Sequence, residues 1–174
     1  AITIGIQGGM PVFTIDVETI DNIPFGPDGK RFDDAYAKRL DKIIKAADSI
    51  GMVVIVNILY WAQALRFNND DAVVSAVTCA AAFLKKGNYT NIIIDVANEY
   101  NIETWNDLQI IQNPKNMKML IDLVRKESGG MLVGSSGGGG LVDKEVVDAS
   151  DVVLVHGNGL TRGEYNDFIL RVQK

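Results

Sequence analysis

Short apolar runs and amphipathic stretches alternate along this chain. "AITIGI" (1–6) predicts a buried strand, closed by Gly8-Gly9. From Asp33 or Asp34, the residues Tyr36, Leu40, Ile43, Ile44, Ala47 and Ile50 share one helical face, while Lys38, Arg39, Lys42 and Lys45 face away; Gly51 ends the helix. "MVVIVNIL" (52–59) is continuous and β-branched, which suits a parallel strand buried on both faces. The unit then repeats. "NNDDAVVSAVTCAAAFLKKG" (68–87) is a capped helix and "NIIIDVA" (91–97) a strand. "NPKNMKMLIDLVRKESGG" (113–130) is a helix with Asn113 as cap, Pro114 at its first position and Met117, Leu120, Ile121 and Val124 on its apolar face. "MLVGSS" (131–136) is a strand, "DKEVVDAS" (143–150) a short helix and "DVVLVHG" (151–157) a strand. "TRGEYNDFILRVQK" (161–174) opens with a capping box from Thr161 to Glu164 and is a final helix. The interruption is 10–30, an irregular loop holding three of the four prolines.

Strand and helix alternating through about five units mean an α/β fold with a parallel sheet, read as a single domain over 1–174. Two architectures fit: a doubly wound open sheet, or part of a TIM (β/α)8 barrel, which takes about 200 residues or more to close. Both place active groups at the carboxyl ends of the strands.

Composition narrows the function classes. The chain has 174 residues, 47% of them hydrophobic, and a net charge of −5. Its longest basic run is Lys85-Lys86, so no nucleic-acid partner is expected. No apolar run reaches about 18 residues, so no transmembrane helix is expected. The lone Cys79, among alanines, reads as a buried structural thiol, and a single histidine excludes a multi-histidine metal cluster. No metal site and no cofactor are expected. The chain opens "AITIGIQ" without an initiator Met, so a piece of a longer protein is expected, secreted or periplasmic if the N-terminus is truncated.

The polar residues gather at the strand ends. They are Gln7, then Asn57, Tyr60, Trp61 and Gln63, then Asn98, Glu99 and Tyr100, then Ser135-Ser136, then His156 and Asn158. Amides, hydroxyls and aromatic rings on one rim suit a neutral, hydroxyl-rich ligand such as a sugar. Gln7, Asn57 and Ser135 suit loop backbone equally well, and Tyr60 and Trp61 suit packing. Glu99 is the sharpest signal: a carboxylate directly after a buried apolar strand is costly unless something uses it, and a sheltered carboxyl group can serve as a general acid. "GSSGGGG" (134–140) lacks the lysine of a phosphate loop and the spacing of a dinucleotide loop.

With "IIIDVANEYN" in hand, the chain resembles the clan A glycoside hydrolases, the retaining (β/α)8 barrels that include the cellulase-like family 5 enzymes. In that family the fourth barrel strand ends in Asn-Glu, and the Glu is the general acid/base. By this likeness "AITIGIQGG", "GMVVIVNILYWAQ", "NIIIDVANEYN", "MLVGSSGGGG" and "DVVLVHGNG" are barrel strands two to six, and the sixth carries a His near the site. The resemblance implies Glu99 as general acid/base, Asn98 on the sugar 2-hydroxyl and Tyr60 and Trp61 stacked on sugar rings. His156 and Asn158 then line the cleft, with Gln7, Asn57, Gln63, Tyr100 and Ser135 as further substrate contacts. The family's nucleophile is a second Glu on the seventh strand, to which nothing here corresponds.

The expectation is therefore a partial retaining glycosidase that acts on a β-linked poly- or oligosaccharide and has no normal turnover by itself. A non-catalytic carbohydrate-binding module and a phosphorylated-ligand-binding α/β protein are the alternatives. Exposed sheet edges predict self-association.

Overall fold

A computed structural model of the chain describes residues 1–6, 23–60, 66–105 and 108–173. Four strands, β1 (Ile2–Gly5), β2 (Val54–Leu59), β3 (Ile92–Ala97) and β4 (Leu132–Gly134), lie side by side in that order, all parallel. A doubly wound sheet reverses its strand order at a switch point. Here each strand neighbours the one before it, which is the order of a (β/α)8 barrel. Among the described residues the barrel is not closed.

The helices form where periodicity and caps agree. In α1 (Asp34–Asp48), the Asp33 side chain accepts from the Tyr36 N–H at 2.8 Å, and Tyr36, Leu40, Ile44 and Ala47 are buried. Ile43 and Ile50 were expected on that face, but they are 43% and 71% exposed. Ile43 lies one helical step off the stripe, and Ile50 lies beyond the last turn. In α2 (Asp70–Gly87), Asn69 caps the first turn and Asn88 ends the helix in the left-handed conformation. Its Ala72, Ala76, Ala80 and Ala81 are buried, and such small side chains let a helix lie close to its sheet. Cys79, on the same helix, is only partly buried. In α4 (Pro114–Glu127), which follows the short α3 (Gln109–Gln112), Met117, Leu120, Ile121 and Val124 are buried as expected. Together with Val54, Val56, Ile58, Ile92, Ile94 and Val96 of the strands they make one core. Each fully buried aliphatic side chain there contributes roughly 1.5–3 kcal/mol.

The segment 131–136 does not form the single strand that was expected. The sheet ladder stops at Asp95 opposite Gly134. The Ser135 hydroxyl then donates to the Ala97 carbonyl at 3.0 Å and lies 3.3 Å from the Ala97 N–H. A side chain thus takes the place of the next backbone rung. Beyond it, β5 (Ser136–Gly137) pairs in parallel with β6 (Leu154–Val155) as a separate two-stranded sheet. Between them lies α5 (Lys144–Ala149), and α6 (Arg162–Val172) follows with both halves of the Thr161–Glu164 capping box in place.

Candidate active site

The strand register sets the floor of the site. Gly5, Asn57, Asp95 and Gly134 stand in one row across β1 to β4. By the two-residue period of a strand they face away from Val56 and Ile94, which pack into the helix-backed core. A polar pair flanked by two glycines therefore sits near the carboxyl ends of the strands. Asp95 is 3% exposed. Its Oδ1 accepts from the Ser136 N–H at 2.9 Å and its Oδ2 from the Ser136 hydroxyl at 2.8 Å. Burial nevertheless dominates and pushes the carboxyl up to about 6. The Ser136 bonds, the Asn57 amide and the charge of His156 pull the other way. Asn57 eases this charge only by proximity, because both its amide atoms are buried without a partner in hydrogen-bond geometry.

Directly above, the chain leaves β3 through Asn98 and Glu99. The Asn98 N–H donates to the Leu59 carbonyl at 3.0 Å, and Asn98 is half-buried. Glu99 has φ +51°, left-handed backbone that a non-glycine residue rarely adopts. Such a residue costs of order 1–3 kcal/mol and persists where its surroundings over-determine it. They do so here. The Glu99 N–H donates to the Ser136 hydroxyl oxygen at 3.1 Å, and the Glu99 carbonyl accepts from the Trp105 indole at 2.9 Å and the Ile102 N–H at 3.1 Å. Trp105 is fully buried in a 3₁₀ turn, Glu103–Trp105.

The turn aims the Glu99 carboxylate at two partners from the segment after β6. His156 Nδ1 lies 2.9 Å from Glu99 Oε1, and Asn158 Nδ2 donates to the same oxygen at 3.1 Å. Among the described residues both side chains converge on Oε1. The side chain of Glu99 is 17% exposed, so it is sheltered yet reachable. His156 is placed in turn by its backbone: its N–H donates to the Gly137 carbonyl and its carbonyl accepts from the Gly140 N–H.

The glycine-rich stretch is a clamped wall of this cluster. The Asn101 side chain accepts from the Gly138 N–H at 2.8 Å and donates to the Gly138 carbonyl at 3.3 Å. A Cβ on Gly138 would lie 3.0 Å from three side-chain atoms of Glu99. A glycine lets the loop rest closely against that side chain without displacing it. The amides of Ser136, Gly138 and Gly140 are all committed within the protein and are not available to an anion.

The structure thus brings Glu99, His156 and Asn158 together, with Asn98 beside them. Tyr60 is half-buried at the end of β2. Gln7, Trp61 and Gln63 lie outside the described residues. Asn57 and Ser135 are buried beneath the rim. Tyr100 is fully buried; its hydroxyl donates to Asp143 at 2.6 Å and accepts from the Asp143 N–H, tying the end of β3 to the start of α5. Sequence reasoning missed Asp95, Trp105, Asn101 and Gly138. Asp95 alone left a signal, a carboxylate inside a run of isoleucines.

The family model described as cellulase (glycosyl hydrolase family 5) matches residues 5–139. No curated protein matches the chain. A solved structure, the apo structure of a beta-glucosidase 1317, superposes with a TM-score of 0.53 at 15% identity. It covers 76% of this chain, which spans 48% of that protein. At that identity the likeness speaks for the fold, a barrel of which this chain spans about half.

Proposed function

The chain belongs to the cellulase family, glycosyl hydrolase family 5, and from that premise we propose that it carries the acid/base half of a retaining glycosidase site for β-linked sugars. Glu99 is the proton carrier in this reading. Retaining hydrolysis protonates the glycosidic oxygen while a second carboxylate, about 5 Å away, attacks the anomeric carbon; the first group then takes a proton from the water that releases the sugar. The observation that carries the reading is the convergence of His156 and Asn158 on one oxygen of a carboxylate whose backbone is held at both ends. Two partners on Oε1 fix the orientation of the carboxyl group and leave Oε2 to exchange the proton with substrate. Asn98, next along the rim, serves the sugar 2-hydroxyl. Tyr60 and Trp61 serve as the stacking platform. The nucleophile belongs to the seventh strand of the whole barrel, as the family resemblance implies.

The test is hydrolysis of aryl β-glucosides and soluble β-glucans by the full-length protein and its Glu99→Gln variant. General acid/base groups contribute roughly 10²–10⁴-fold, and the variant should lose activity on that scale. With Glu99→Ala, added azide should intercept the glycosyl-enzyme as a β-glycosyl azide. A full-length protein that binds β-glycans but cleaves none, with binding unaffected by Glu99→Gln, would replace this reading with a carbohydrate-binding one.

A further inference from the structure

Ser136 is the hub behind Glu99. It is fully buried, and all its polar groups are engaged. Its N–H and its hydroxyl donate to the two oxygens of Asp95, at 2.9 and 2.8 Å. Its hydroxyl oxygen accepts from the Glu99 N–H at 3.1 Å, and its carbonyl accepts from the Tyr100 N–H at 3.1 Å. We propose that Asp95 and Ser136 are positioning residues for Glu99. The buried Asp95 carboxylate orients the Ser136 hydroxyl, and Ser136 grips the amides on both sides of the left-handed turn that aims the Glu99 side chain. This deepens the reading of Glu99 as proton carrier and rests on it.

The Ser136 hydroxyl has a single proton and two acceptors in reach: Asp95 Oδ2 at 2.8 Å and the Ala97 carbonyl at 3.4 Å. An ionised carboxylate takes it, because charge-assisted bonds are shorter and stronger. If Asp95 gains a proton, the carboxyl donates to the Ser136 oxygen and the hydroxyl turns to Ala97. The Glu99 amide is bonded to that oxygen in either state, but as part of a charged chain in one and a neutral chain in the other. Among the described residues, the groups facing Asp95 are Asn57 from β2, Ser136 from β5 and His156 from beyond β6, all of which bear on its ionisation. Its row neighbour Gly134 and the far end of the row, Gly5, add no charge.

Ser135 supplies an internal control. It is also buried and also bonded to the end of β3, but its hydroxyl serves Ala97. A merely structural contribution from a buried serine would make the two positions alike.

The experiment is a pH titration of the 174-residue chain by ¹H–¹⁵N NMR. The Ser136 and Glu99 amides should move through a shared step with a midpoint near 6, and the step should persist in His156→Gln, which removes the single imidazole of the chain. Asp95→Asn should abolish the step at both amides. Ser136→Ala should abolish it at Glu99 and change the φ-sensitive HN–Hα coupling of that residue, whereas Ser135→Ala should preserve both. A Glu99 step that survives Ser136→Ala, one that disappears equally in Ser135→Ala, or its absence from the wild-type chain would overturn the proposal. Should Asp95→Asn fail to fold, the two serine variants decide alone. No sugar enters these readouts, so they fail only with the positioning. Failure of the acid/base reading shows instead as turnover unaffected by Glu99→Gln.

Discussion

The four-stranded sheet and the β5–β6 pair are held by different forces. In the sheet, β2 and β3 run six residues each and are almost wholly buried against α1, α2 and α4. In the pair, each strand has two residues, and Leu154 and Val155 are only half-buried. The helix that follows, α6, buries Phe168 alone, leaving Tyr165 and Leu170 38% and 50% exposed. Polar ties do more of the work here. Asp151 accepts from the Val133 N–H and from Arg125, while Tyr100 and Asn101 reach across to Asp143 and Gly138. The candidate site straddles the two regions, with Glu99 from the first and His156 and Asn158 from the second. Apolar burial fixes the depth of the carboxylate, and hydrogen bonds fix its direction.

Mutation of one buried side chain in each region sharpens that contrast. Ile121→Ala removes a fully buried side chain from α4 and should cost about 2–5 kcal/mol in a urea unfolding curve. Phe168→Ala should instead release α6 locally. Native-state hydrogen exchange should then speed up at α6 amides while β2 and β3 keep their protection. If Phe168→Ala lowered protection across the sheet as far as Ile121→Ala does, the two regions would be one cooperative unit and the contrast would fall.

The same division decides what was legible in the sequence. The alternation of strands and helices was readable because apolar period and capping residues agree, as at Asp33, Asn69, Asn113 and Thr161. Glu99 was readable because a carboxylate ends an apolar strand. The split of 131–136 was not, because nothing in "MLVGSS" announces that Ser135 will satisfy Ala97 with its side chain. Trp105, Asn101 and Gly138 acquire their meaning only through contacts made by the fold: an indole on the Glu99 carbonyl, an amide around a glycine, a loop against a side chain. Asp95 looks in the sequence like an interruption of a strand; only the register sets it against Ser136 and Asn57.

Asp95 also carries a cost that the sheet absorbs. Its carboxyl is raised from 3.8 to about 6 by burial. As pH climbs from about 4 to 6 the unfolded chain gives up this proton first, so the folded state holds more protons and loses stability over that window. The loss is complete above about 6 and amounts to about 3 kcal/mol at the usual value per pKa unit. Asp95→Asn removes the term, so its stability relative to wild type should rise between pH 4 and pH 7. Urea unfolding at the two pH values measures this directly. A difference that stays constant with pH would mean that the Ser136 bonds offset the burial fully.

The smallest expected change in stability tests the seam itself. Gly138→Ala puts a methyl group 3.0 Å from three side-chain atoms of Glu99, closer than van der Waals contact allows. The loop is held by Asn101 on one side, and the Glu99 backbone is held by Ser136 and Trp105 on the other. The element left to yield is the Glu99 side chain, which must shift by a few tenths of an ångström against His156 and Asn158. Overpacking of this kind costs about 1 kcal/mol at the lower end of its range, so the unfolding curve should shift little. A carboxylate displaced from its productive position loses far more, and turnover by the full-length protein should fall on the order of tenfold or beyond. A variant that kept full turnover would show slack between loop and carboxylate, and direction at this site would then be set from the Ser136 side alone.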